Sequence, residues 1–97
     1  RGLMPENSIP AFRKALELGV TTLELDLAVS AEGQLIVSHE PWFASSICTD
    51  STGQEIPHEK EQSFAIYAHT VAQIRRYDCG SKGNARFPEQ EKISTYK

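Results

Sequence analysis

Two cysteines, one methionine and one tryptophan are all that the 97 residues hold of those types, and aromatic side chains make up only 8%. No apolar run approaches the roughly 18 residues of a membrane-crossing helix, so a transmembrane span is excluded. Two cysteines are too few for a disulfide framework. Positive charge is also scarce: ten Lys and Arg stand against thirteen Asp and Glu, interspersed along the chain, for a net charge of -3. The basic stripe that binds nucleic-acid backbones is missing, which excludes that class of partner. There is neither a targeting segment nor an initiator Met before Arg1-Gly2, so the natural N-terminus is expected upstream. A hydrophobic fraction of 39% and a mean hydropathy of -0.40 fit a globular chain in water. At this length a single small domain buries about 60–70% of its unfolded surface, which leaves a modest core.

What the sequence does contain is concentrated between Thr22 and Pro41. Leu23, Leu25, Leu27 and Val29 alternate with Glu24, Asp26 and Ala28, the period-two pattern of a strand with one apolar face and one carrying two carboxylates. Ala31-Glu32-Gly33-Gln34 then breaks the pattern, and Leu35-Ile36-Val37 resumes extended chain. With Glu32-Gly33 as the two central turn residues of a hairpin, Asp26 falls opposite His39. Two carboxylates two residues apart on a strand are separated by roughly 6.5–7 Å and repel unless a cation or several donors intervene. A hard divalent cation, Mg²⁺ or Ca²⁺, suits such oxygen ligands and takes substrate phosphate oxygens as well. His39 at its edge is suited to proton transfer near neutral pH. The spacing is equally that of an exposed hairpin face with ordinary surface acids and a polar strand end.

Before this stretch, residues 5 to 19 read as a turn and a short amphipathic helix. Pro5-Glu6-Asn7-Ser8 offers caps, Pro10 falls in the first turn, and Ile9, Phe12, Ala15, Leu16 and Leu18 recur with helical spacing until Gly19. The apolar face must pack on something, and a strand follows after a tight connection, as in an α/β layer.

Pro5-Glu6-Asn7-Ser8, Ala11-Phe12, Ala15, Gly19, Leu23-Glu24-Leu25-Asp26-Leu27, Glu32-Gly33 and Val37-Ser38-His39-Glu40, in this order and with these gaps, resemble the N-terminal signature of the glycerophosphodiester phosphodiesterase family. The resemblance covers residues 1 to 41 closely. It implies an α/β fold, the N-terminal portion of a (β/α)₈ TIM barrel of the phospholipase-C-like phosphodiesterase type, incomplete in this chain, with its site at the C-terminal ends of the strands. It further implies that Glu24 and Asp26 bind a divalent cation, Ca²⁺ or Mg²⁺, and that His39 is the second of two catalytic histidines. The implied reaction is hydrolysis of a small-molecule glycerophosphodiester to glycerol 3-phosphate and an alcohol.

The sequence departs from the family pattern in three places. Glu40 stands where Asp is more usual. Arg1-Gly2 lies too close to Pro5 to end the family's opening His-Arg-Gly, which places the first catalytic histidine upstream. The later Glu-x-Lys strand, with its metal carboxylate and lysine, is absent. Residues 1–97 are therefore expected to be an N-terminal part of the barrel domain, with residues 42–69 resembling the family's insertion. Two other readings stand beside the enzyme: a non-catalytic piece that keeps the signature, and a related barrel phosphodiesterase acting on phospholipids. Trp42-Phe43 is the one hint of an apolar rim.

In the remainder, residues 44 to 63 are polar and turn-rich and read as a long loop. His58 and His69 have no partners at metal-site spacing. Thr70 to Tyr77 reads as a short helix ended by Asp78-Cys79-Gly80, Arg75-Arg76 as a solvated face, and Lys82 and Arg86 as part of a flexible run. Cys48 and Cys79 allow two readings: one bridge, which implies an oxidising compartment such as a periplasm, or two reduced thiols.

Overall fold

Ser8 opens the first helix because its side-chain oxygen accepts the Ala11 N–H at 3.2 Å, and Pro10 sits where a missing N–H is harmless. The computed structural model describes residues 2–97, and this helix, α1, spans Ile9–Glu17. It ends in a Schellman arrangement: Gly19 N–H donates to Leu16 C=O at 3.0 Å, Val20 N–H donates to Ala15 C=O at 3.3 Å, and Gly19 takes a φ of 91° that a Cβ would penalise. The expected bounds hold, but the expected burial does not. No residue of α1 is buried, and Ile9, Leu16 and Leu18 are exposed.

Two short antiparallel strands follow, β1 (Leu27–Val29) and β2 (Leu35–Val37). Residues 23–26 continue the alternation outside the ladder, with Asp26 joined to the other strand by a single backbone hydrogen bond, and Leu23, Leu25, Leu27 and Val29 are exposed. The hairpin register corrects the sequence reading. Leu27 pairs with Val37 and Val29 with Leu35, so Asp26 faces Ser38, whose N–H donates to its C=O at 3.0 Å, and not His39. The cause is the turn. Ala31, Glu32 and Gly33 all lie in the loop, Ser30 N–H donates to Gln34 C=O at 2.9 Å, and Gly33 carries the left-handed φ of 84° that a three-residue hairpin needs.

The core joins one hairpin residue to the chain that follows it. Ile36, Phe43, Cys48, Ile56, Ile66, Ile74, Tyr77 and Cys79 form one buried cluster, with Phe43 stacked on Tyr77 at a ring-centroid distance of 3.9 Å. Residues 44–63, expected as loop, also hold a 3-10 helix, His58–Ser63; a second follows at Ile66–Ala68. Helix α2 is the single turn Val71–Ile74, shorter than Thr70 to Tyr77, and it begins with a capping box between Thr70 and Gln73. Cys48 and Cys79 are bonded to each other, which resolves the two readings in favour of the bridge. Among the described residues no helix is long and apolar enough to cross a membrane.

Asp78 ties the end of this core together. Its carboxylate accepts from the N–H groups of Gly80 (3.0 Å), Ser81 (3.2 Å) and Thr95 (3.0 Å) and from the Ser81 hydroxyl (2.7 Å). Gly80 beside it leaves no room for a Cβ against Ile93 C=O and the Thr95 side chain. Burial pushes the Asp78 carboxyl up, but the Ser81 hydroxyl and the three N–H donors together hold it below its ordinary 3.8. A carboxyl with a lowered folded pKa stabilises the fold above its unfolded value, and that contribution is lost as pH falls through the folded value. Asp78→Asn is therefore expected to cost about 2 kcal/mol at pH 7, and less once the wild-type carboxyl is protonated. Urea unfolding of both proteins at pH 7 and near pH 3 checks this, and an equal difference at the two pH values contradicts it.

Candidate active site

The turn before α1, the extended run after it and the end of the hairpin converge on one open cleft of about 580 Å³. Glu24, Asp26 and His39, the three residues singled out in the sequence, all line it. Glu24 and Asp26 point to the same side because they are two apart on extended chain. His39 reaches the cleft despite the shifted register because β2 ends at Val37 and the chain bends at His39 and Glu40. Ser38 supports the bend by donating its hydroxyl to Glu40 C=O at 2.7 Å.

His39 Nδ1 lies 3.0 Å from Glu40 Oε1, and its side chain is 54% exposed. With the Nδ1–H donated to that carboxylate, Nε2 is the nitrogen available for proton transfer. The acid after the histidine thus has an orienting contact that Asp would have to make with a shorter side chain.

Two residues quoted only as part of the lead-in turn also line the cleft, Glu6 and Asn7, with Phe12 and Ala15 of α1 forming an apolar side. Their signal was available, since they belong to the same ordered motif set as Glu24 and Asp26. Lys97 was not legible. Its ammonium approaches Val37 C=O at 3.4 Å, and burial pushes its pKa down while Glu6 nearby opposes that shift. It lines a small cavity with Glu6, His39 and Trp42.

The aromatic pair after Pro41 splits. Phe43 is fully buried in the core, so it forms no rim, and only Trp42 remains near the cleft. His58 and His69 lie apart from the site. His58 sits 3.1 Å from Ser45 Oγ, which donates to Glu61 at 2.8 Å; His69 packs edge-on to Phe43 and Tyr77. The Ser45 N–H, opposed by burial and joined by the weaker pulls of the Ser45 hydroxyl and the His58 ring, holds the Glu61 carboxyl below its ordinary value. That network closes the loop on itself.

Carboxylate oxygens are the donors that hard cations prefer. Among the described residues no group of three His, Cys, Asp or Glu side chains gathers as a metal site. Glu24 and Asp26 offer oxygens of that donor type on one side of the cleft, without a third such side chain gathered beside them among the described residues.

Comparison with known proteins adds a family. The model of the glycerophosphoryl diester phosphodiesterase family matches residues 1–97. A glycerophosphodiester phosphodiesterase of Bacillus subtilis (strain 168) is 31% identical over 91 residues, covering 94% of this chain and 27% of that protein. Another, from Caldanaerobacter subterraneus subsp. tengcongensis, is 29% identical over 84 residues, or 87% of this chain and 29% of that one. A crystal structure from Silicibacter pomeroyi DSS-3, assigned as a glycerophosphoryl diester phosphodiesterase, superposes with a TM-score of 0.87 at 31% identity, over 99% of this chain and 33% of that one. The chain spans less than a third of the length of the two curated relatives.

Proposed function

The chain belongs to the glycerophosphoryl diester phosphodiesterase family, and from that premise we propose that the protein containing it hydrolyses glycerophosphodiesters to glycerol 3-phosphate and an alcohol, with a divalent cation, Ca²⁺ or Mg²⁺. The observation that supports this reading is the meeting of Glu24, Asp26 and His39 on one open cleft. Glu24 and Asp26 hold the cation, with further ligands from substrate oxygens and from chain beyond these residues. When bound, such an ion neutralises charge on the phosphate. His39, oriented through Nδ1 by Glu40, moves a proton at Nε2, to the leaving alcohol or from the attacking group.

The exposed apolar faces of α1 and of residues 23–29 support an arrangement in which further units of the family's TIM-barrel-like fold cover them. The Cys48–Cys79 bridge supports an extracytoplasmic setting, where disulfides persist. The burial of Phe43 leaves Trp42 alone of the aromatic pair that hinted at an apolar rim.

The test begins with the intact mass of the natural protein, to fix how much chain accompanies these residues. That product, supplied with glycerophosphocholine, is expected to release glycerol 3-phosphate with Ca²⁺ or Mg²⁺ and to stop when a chelator is added. A folded product that releases none with either ion overturns the substrate assignment and leaves the non-catalytic or lipid reading.

A further inference from the structure

Asn7 has a backbone that needs explaining. Among the described non-glycine residues it alone has a positive φ, 49°, in the left-handed region that Asn tolerates better than most side chains. It directly precedes the Ser8 cap, so the turn could be served by glycine at least as well. What glycine cannot supply is the amide, and here the amide reaches across nineteen positions to one residue. Asn7 Oδ1 accepts the backbone N–H of Asp26 at 3.4 Å, and Asn7 Nδ2 donates to Asp26 Oδ2 at 3.5 Å. Only this amide orientation works, because the reverse sets donor against donor and oxygen against oxygen.

Asp26 is thereby held from two sides. Its N–H and one carboxylate oxygen are met by Asn7, and its C=O is met by Ser38 N–H at 3.0 Å. With Oδ2 engaged, Oδ1 is the oxygen left to the cleft that both residues line. Both amide contacts are long, so their value lies in aim more than in energy. We propose that Asn7 is a positioning residue for Asp26, fixing which carboxylate oxygen is presented to a cation. The inference rests on the reading of Asp26 as a cation ligand; groups that orient ligands in this way typically change metal affinity by 10–100-fold when removed.

Calorimetric titration of the full-length protein with Mg²⁺ alone, and with Ca²⁺ alone, tests both layers. Asn7→Gly keeps the φ and removes the amide. Asn7→Ser keeps a polar group too short to reach Asp26. Both are expected to raise Kd about tenfold, with unfolding temperatures in metal-free buffer close to wild type for Asn7→Gly. Asp26→Asn separates the layers: an unchanged Kd there overturns the ligand reading itself. If Asp26→Asn weakens binding while Asn7→Gly keeps the wild-type Kd, Asn7 serves only the turn and the positioning role is wrong, whatever Asn7→Ser does. Failure of both Asn7 variants to fold likewise assigns Asn7 to the fold and overturns the inference.

Discussion

Asp26→Ala and His39→Ala, made singly in the full-length protein, are expected to lower kcat for glycerol 3-phosphate release by roughly 10²–10⁴-fold, the usual range for a positioned proton-transfer group and for loss of charge stabilisation at a reacting phosphate. The two losses should differ in kind. With His39 in its proposed proton-transfer role, His39→Ala should leave KM and the cation requirement close to wild type. Asp26→Ala removes a charge from the cleft and should shift the cation concentration for half-maximal rate upward. Neither change should unfold the protein, because Asp26 is exposed and the His39 side chain is half exposed. Wild-type turnover by either variant removes that residue from the mechanism. Identical responses of the two to added cation would remove the division of roles.

Loss of the Cys48–Cys79 bridge is the largest stability effect expected. Its ends are 31 positions apart, and in the chain-entropy account opening a loop of that length costs about 3–4 kcal/mol. Both sulfurs lie in the core, Cys48 with no exposure, so the double change to Ala adds the cost of two lost core atoms, and reduction of wild type, which keeps both sulfurs, isolates the cross-link. The loop ends stay tied when the bridge is gone by Thr49 N–H to Asp78 C=O at 2.8 Å, while Cys79 N–H anchors one end to Thr95 C=O at 2.7 Å. The folded loop should therefore survive while the unfolded chain gains freedom. Denaturant unfolding of wild type and Cys48→Ala/Cys79→Ala, with and without reductant, measures the difference. A difference below about 1 kcal/mol would show that the bridge does not restrain the unfolded chain.

The elements most legible in the sequence were those specified by neighbouring residues. Ser8, Pro10 and Gly19 bound α1 because caps and stops act within one turn. Glu24 and Asp26 could be placed on one side of the chain from a spacing of two, and both line the cleft. The hairpin register was not legible, because a turn of two residues and a turn of three differ only in where Gly33 adopts its left-handed conformation. Long-range partners left still less trace. Nothing near Phe43 announces Tyr77, and nothing near Asn7 announces Asp26. Spacing could not decide the state of the cysteines, since pairing depends on how the intervening chain folds. Nor could the sequence show that of the Trp42-Phe43 pair it is Phe43 that enters the core.

The placement of the core has a consequence for the order in which the protein matures on the ribosome. Ile36 and Phe43 pack with Ile74, Tyr77 and Cys79, so the cluster cannot close until the polypeptide has been made through Cys79. Glu24, Asp26 and His39 emerge well before that point, on chain with no buried helix to shelter it. The cross-link is bound by the same order, since Cys48 has no partner until Cys79 has been made.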